Sequence, residues 1–278
     1  MGLNQVSMIT DTPENRRFAF GANWRRYAKE LNGAAIQRAE QSVRTLLNVD
    51  DLKGRSFLDV GSGSGLFSLA ARRLGASVLS FDYDPESVAV TESLRARYES
   101  DITGWRIERG SALDANYLAG LGQFEIVYAW GVLHHTGDMW RALANVAGTV
   151  APNGTLAIAI YNDQGSASRR WIWIKRTYNR LPKPLRFVIL WPAFLRLWGP
   201  RSVGDILAGR GFSTWRDYRR ERGMSPWRDV VDWVGGWPFE VASPAAMIAF
   251  FAKRGFTLVR SKTVGRGHGC NEFVFRRS

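Results

Sequence analysis

The chain has 278 residues, 45% hydrophobic and 23% charged, a balance that excludes disorder over most of its length and suits one large α/β domain with an embellishment. Its formal charge of +13, carried mostly by arginine, suits nucleic acid, anionic lipid or an acidic small molecule without choosing among them. Cys270 is the single cysteine, which excludes an internal disulfide and a thiolate metal cluster; with no signal-peptide pattern at the start, a cytoplasmic protein is expected.

Phe20-Gly21-Ala22-Asn23-Trp24-Arg25-Arg26-Tyr27 precedes the first long helix. Residues 32–48 then place Ala35, Ile36, Ala39, Val43, Leu46 and Leu47 at helical spacing. A short apolar strand follows at 56–60 and runs into Gly61-Ser62-Gly63-Ser64-Gly65, after which Leu66, Leu69, Ala70 and Leu74 return to helical spacing. A second strand is predicted at 77–81, and Asp84-Pro85-Glu86 opens a second helix, with proline early and acids in the first turn. Further strands are predicted at 105–109, 125–129 and 155–160, with helices at 116–121 and 138–150 and a turn at Ala151-Pro152-Asn153-Gly154. Strand and helix in alternation imply a parallel sheet. Residues 162–243 break the rhythm, and a helix at 244–254 with strands at 256–264 and 271–276 completes the chain.

Three glycines between the first strand and its helix, Gly61, Gly63 and Gly65, let the backbone approach a ligand and leave helix N-terminal amides free. A bare tight turn is the alternative. Position 66 is Leu, so the G-x-G-x-x-G dinucleotide fingerprint is not met, and no Gly-Lys-Ser/Thr follows to make a phosphate loop. Asp82 ends the second strand about twenty residues on, where a carboxylate can accept both hydroxyls of a ribose, in either a nicotinamide dinucleotide or an S-adenosylmethionine (SAM) site. Asp114, in Gly110-Ser111-Ala112-Leu113-Asp114, is placed either to accept from an adenine amino group or to cap the next helix.

On these runs, with Phe57 to Gly65, Phe81-Asp82-Tyr83-Asp84 and Phe124 to His135, the sequence resembles the class I SAM-dependent methyltransferases over roughly residues 30–160 and 244–276. Trp130-Gly131-Val132-Leu133-His134-His135 looks like the small-molecule branch that includes the quinone-biosynthesis methylases. The resemblance implies a Rossmann-like α/β fold with a seven-stranded, mostly parallel sheet and an antiparallel terminal hairpin. It also implies that Asp59 and the loop Gly61, Ser62, Gly63 and Gly65 hold the methionine end of SAM. Asp82 and Tyr83 would meet the ribose, and Ala112, Leu113 and Asp114 the adenine. Trp130 and Gly131 would line the cofactor, and Trp24, in a lid segment at 1–31, would fold over it.

His134 and His135 lie just past the fourth strand, and a neutral imidazole there suits deprotonation of a hydroxyl acceptor; holding the loop is the alternative role. No metal is expected, because the fourth strand ends at Trp130 rather than at a carboxylate. Residues 162–243 hold eight tryptophans interleaved with Arg169, Arg170, Arg176, Arg186, Arg216, Arg219 and Arg220. That mixture reads as a substrate cap that stacks an aromatic or acidic acceptor, or as a helical unit whose tryptophans are core. Residues 185–198 are expected to pack on the sheet, with a peripheral membrane contact as the other reading.

The expected reaction is methyl transfer to oxygen, with nitrogen second, in a monomer or homodimer. RNA methylation would draw on the charge, but no Asn/Asp-Pro-Pro-aromatic tetrapeptide follows the fourth strand. A noncatalytic SAM-binding subunit is the third reading.

Overall fold

The computed structural model describes residues 18, 20–99, 102–211, 213–222, 225–265, 267 and 269–278. Most of the lid segment's first 19 residues, and His268 in the last turn, lie outside them. In chain order the elements are α1 (Gly21–Glu30), α2 (Gly33–Leu47), β1 (Ser56–Val60), α3 (Leu66–Arg73), β2 (Ser77–Asp82), α4 (Pro85–Tyr98), β3 (Trp105–Arg109), α5 (Ala115–Leu121), β4 (Phe124–Trp130), α6 (Met139–Gly148) and β5 (Val150–Tyr161). The insertion contributes α7 (Ser166–Arg180), α8 (Phe187–Leu207), α9 (Ser213–Arg222) and α10 (Pro226–Gly235), and the chain closes with α11 (Pro244–Ala252), β6 (Phe256–Lys262) and β7 (Cys270–Arg277).

The seven strands form one sheet in the order β3-β2-β1-β4-β5-β7-β6. β1 to β5 run parallel, and β7 is antiparallel to both β5 and β6. The order reverses between β1 and β4, so the carboxyl ends of those strands open the crevice where sheets of this kind bind ligands.

Alternation along the strands divides the core between the two faces. Leu58 and Val60 face a cluster with Met139, Leu143 and Val146 of α6 and Met247 and Phe251 of α11. Phe57 faces Ile36 and Val43 of α2 and Leu66 and Leu69 of α3. Helix starts follow the expected chemistry: Asn32, Asp84, Asp138, Ser225 and Ser243 each accept a hydrogen bond from the first turn of α2, α4, α6, α10 and α11.

Three elements differ from the sequence expectation. α1 is a helix without a side-chain N-cap; its amide end is held from outside, Gly21 N–H donating to Asp84 Oδ2 at 2.9 Å, and Arg25 pairs with Glu86 at 2.8 Å. β5 starts at Val150, which pairs with Phe124, and a register shift in the β4–β5 ladder accommodates the expected turn, with Asn153 left-handed at φ 58°. The buried side of α8 packs on α9 and α10 rather than on the sheet, through a separate cluster of Tyr178, Leu190, Phe194, Trp198, Val230 and Val234.

Candidate active site

β1 delivers the chain into the glycine turn at the crevice. Gly61, Gly63 and Gly65 have φ of 75°, 55° and 76°, a region that side-chain-bearing residues avoid. Space is the second constraint. A Cβ at Gly61 would meet Val132 at 2.3 Å, and one at Gly63 would meet the Trp24 indole at 2.9 Å. The turn is therefore wedged between the loop after β4 and α1, whose Trp24 lies against Gly63.

Asp82 holds the turn's shape: Gly63 N–H donates to Oδ2 and Asp84 N–H to Oδ1, both at 2.9 Å. Asp59 is 3% exposed, and the Ser68 hydroxyl of α3 donates to its carboxylate. Burial raises the Asp59 carboxyl to about 7, against the Ser68 hydrogen bond and with the Asp82 charge adding to it. Burial likewise raises Asp82 to about 6, against the amides that bind it. No lysine or arginine among the described residues forms an ion pair with either acid. One buried and one half-buried carboxylate without a cation, beside a turn with close backbone approach, fit a ligand that carries positive charge next to a nucleoside; SAM has a sulfonium and an ammonium group.

The adenine segment is less open than its sequence suggests. Asp114 Oδ1 caps α5, accepting from Tyr117 N–H at 3.0 Å, so the helix-cap alternative is realised for that oxygen. Ala112 is buried, and its carbonyl accepts from Asn145 at 3.0 Å. Gly110 N–H donates to the Asp82 carbonyl at 3.0 Å, which joins this segment to the end of β2. Tyr83 is exposed beside Arg109, the ring of Trp130 stacks on Tyr128 with centroids 5.3 Å apart, and Gly131 has φ 77° with open space around it.

The two histidines have different surroundings. His134 is fully buried; its Nδ1 accepts from Tyr161 N–H at 3.3 Å, so the proton is on Nε2, which has no hydrogen-bond partner. His135 is partly buried, and its Nδ1 lies 2.6 Å from the Pro238 carbonyl oxygen. A carbonyl only accepts, so Nδ1 carries the proton and Nε2 presents a lone pair. Burial pushes His135 down to about 3, with the Pro238 bond opposing and Lys175 adding, and burial holds His134 well below the usual histidine range. Both rings are neutral near pH 7.

Their loop is clamped by a segment about a hundred residues away. Glu240 N–H donates to the His134 carbonyl at 3.0 Å, and the Glu240 carboxylate accepts from Gly137 and Met139 amides at 3.0 Å each. Tyr161, at the end of β5, packs its ring 3.9 Å from His134, 5.2 Å from Trp233 and 5.1 Å from Phe239, between centroids. Lys175 of α7 closes the group: it is 0% exposed, donates to the Trp233 carbonyl, and holds Nζ 4.4 Å from the Trp233 ring and 4.5 Å from Phe239. Burial lowers its ammonium to about 7. Asn23 of α1 donates to Asp232 of α10, which ties α1 to the insertion.

The sequence reading missed Lys175, Tyr161, Glu240 and Asp232. Lys175 had a legible signal, because it shares a helical stripe with Trp171 and Tyr178, four residues before and three after it. The arginines named in its place mostly turn elsewhere: Arg169, Arg170, Arg176 and Arg216 are exposed, Arg186 lies over the Tyr178 ring, and the side chains of Arg219 and Arg220 fall outside the described residues. Most of the tryptophans are core of the helical unit, and Trp233 is also part of the histidine cluster. Among the described residues no three His, Cys, Asp or Glu side chains converge as metal ligands.

Comparison with known proteins agrees with this geometry. Residues 58–156 match a family model described as a methyltransferase domain. A ubiquinone biosynthesis O-methyltransferase of Azorhizobium caulinodans is 28% identical over 153 residues, 55% of this chain and 51% of the relative. One from Xanthomonas campestris pv. campestris is 34% identical over 111 residues, 40% of this chain and 45% of the relative. The chain thus spans about half the length of these curated relatives. Among solved structures, magnesium protoporphyrin IX methyltransferase from Synechocystis PCC 6803, with bound S-adenosylhomocysteine, superposes with a TM-score of 0.53 at 14% identity, over 90% of this chain and 86% of that one. An O-methyltransferase family protein from Burkholderia thailandensis gives 0.52 at 13% identity, over 88% and 57%. These two show the fold. The strand order and the matched stretch, which holds the glycine turn and both acids, mark residues 58–156 as a methyltransferase domain.

Proposed function

We propose that the chain transfers a methyl group from SAM to an oxygen of a small aromatic acceptor that carries an acidic group. The observation that carries this reading is the cluster of His135, Tyr161, Lys175, Trp233 and Phe239 around the carboxyl ends of β4 and β5. Oxygen is favoured over nitrogen because the curated relatives are O-methyltransferases and because a hydroxyl, unlike an amine, has to lose its proton to react well.

Bound in the crevice, SAM supplies an electrophilic methyl on a sulfonium. Asp59 and the loop Gly61, Ser62, Gly63 and Gly65 hold its methionine end. Asp82, with Tyr83, holds the ribose, and Ala112, Leu113 and Asp114 border the adenine. Trp130 and Gly131 line the floor, and Trp24 covers the turn. His135, a weak base in this setting, takes the hydroxyl proton through Nε2 only in concert with methyl transfer, as the attacking oxygen becomes strongly acidic, while His134 positions the loop. Lys175 pairs with the ionised oxygen of the acceptor, and the aromatic rings exclude water so that alignment does the rest. The insertion, residues 162–243, is the acceptor cap.

The test is turnover with SAM and matched phenols, aryl carboxylic acids and anilines, read by mass for one added methyl. Phenols carrying a carboxylate react fastest under this account; methylation of anilines alone would remove it.

A further inference from the structure

The outer side of α7 and α8 has a composition that packing does not explain. Between Ser166 and Arg210 the sequence has ten Lys and Arg and a single acid, Asp205. Asp205 is 1% exposed, with its carboxylate bound by Thr214 and Arg210. Lys175 turns inward, whereas Arg169, Arg170, Arg176, Lys183, Arg196 and Arg201 are exposed. Among these cations stand large apolar side chains. Phe187, Val188, Trp191 and Leu195 recur at the spacing of one helical side and are 53–62% exposed, while Leu190, Ala193 and Phe194 fill the other side. Beyond Pro200 the exposed set continues with Val203, Ile206 and Leu207, and on α7 Trp173 is 68% exposed. Soluble monomers seldom leave so many large apolar groups together in water.

Charge selects what covers this face. A second copy of the chain would bring one cationic surface against another, with no exposed acid between Ser166 and Arg210 to pair with. An anionic bilayer neutralises the arginines and takes the apolar groups and the tryptophans into its boundary layer. The helix lies on such a surface and does not cross it, since no helix among the described residues is long and apolar enough to span a membrane. Arg196 and Arg201 also fall inside α8.

We propose that α7 and α8 form a docking face for anionic lipid bilayers, with α8 in the headgroup plane. The inference does not depend on the acceptor or on the base. Its test is flotation of the full chain with vesicles of phosphatidylglycerol and phosphatidylcholine, against vesicles of phosphatidylcholine alone. Two variants accompany it: Phe187→Ser/Trp191→Ser/Leu195→Ser and Arg196→Glu/Arg201→Glu. All five residues are exposed, and unchanged SAM affinity checks that the fold is kept.

The expected result is binding to the anionic vesicles that weakens with salt and falls at least tenfold in each variant, since each basic residue contributes roughly fivefold near such a surface. Three results would overturn the proposal: no flotation with anionic vesicles at low salt, equal flotation of the wild type and both variants, or a dimer in solution that the triple serine variant converts to monomer.

Discussion

The glycine-turn crevice and the helical insertion of this molecule hold charge in opposite ways. At the carboxyl ends of β1 and β2, buried Asp59 and half-buried Asp82 stand without a cation, and the fold raises them to about 7 and about 6. In the insertion, Lys175 is buried without an acid, and the fold lowers it toward neutrality. On the proposed reading each region lacks the charge that its ligand would bring, a cation for the acids and an anion for the lysine, and burying such groups unpaired costs stability.

That contrast can be broken first at the base. His135→Ala should lower kcat by about 10² to 10⁴ with phenols while leaving SAM affinity unchanged, and rapid-quench turnover with calorimetry reads both. His134→Gln should instead lower the melting temperature. Because burial holds His135 near 3, the activity of the wild type should show no histidine limb between pH 5 and 8.

A smaller effect is expected at Lys175. Lys175→Met removes an unpaired buried cation, so the melting temperature should hold or rise, while KM for a carboxylate-bearing acceptor should rise about tenfold, a typical coupling for one charge-assisted hydrogen bond. A fall in stability with no change in KM would make Lys175 a cap for the end of α10 and nothing more. Asn179 already serves that end through the Gly235 carbonyl at 2.8 Å.

The smallest effect is in the pH dependence of the ligand-free chain. Both acids titrate higher in the fold than the 3.8 of the free group, so protons stabilise the folded state. This contribution is complete below about pH 4 and is lost as pH climbs through 6 to 7. Asp59→Asn should flatten that decline, and thermal unfolding across pH 4 to 8 checks it. SAM should protect most at the upper end, where the acids are ionised.

Legibility in the sequence followed the same division. The glycine turn, Asp59 and Asp82 lie within 24 residues of one another, and each is dictated by local backbone demands: φ above zero at three glycines and a strand end at a fixed distance. Strand order and the terminal hairpin followed from the family likeness. The proposed acceptor site depends on pairings across long separations, such as His135 with Pro238 and Lys175 with Trp233, which no local pattern announces. α1 was missed as a helix for a related reason, since its start is capped by Asp84 of a different element. The stretch 185–198 was expected on the sheet, with a membrane contact as the other reading; it packs instead on the rest of the insertion, and its other side is exposed.

The most direct measurement is calorimetric titration of SAM into the wild type and Asp82→Ala. Loss of a carboxylate that shapes the turn and, on the proposed reading, accepts the ribose hydroxyls should weaken binding about a hundredfold, the effect of losing one or two charged hydrogen bonds. Equal affinity in the two proteins would contradict the assignment of the crevice as a SAM site held by its acids.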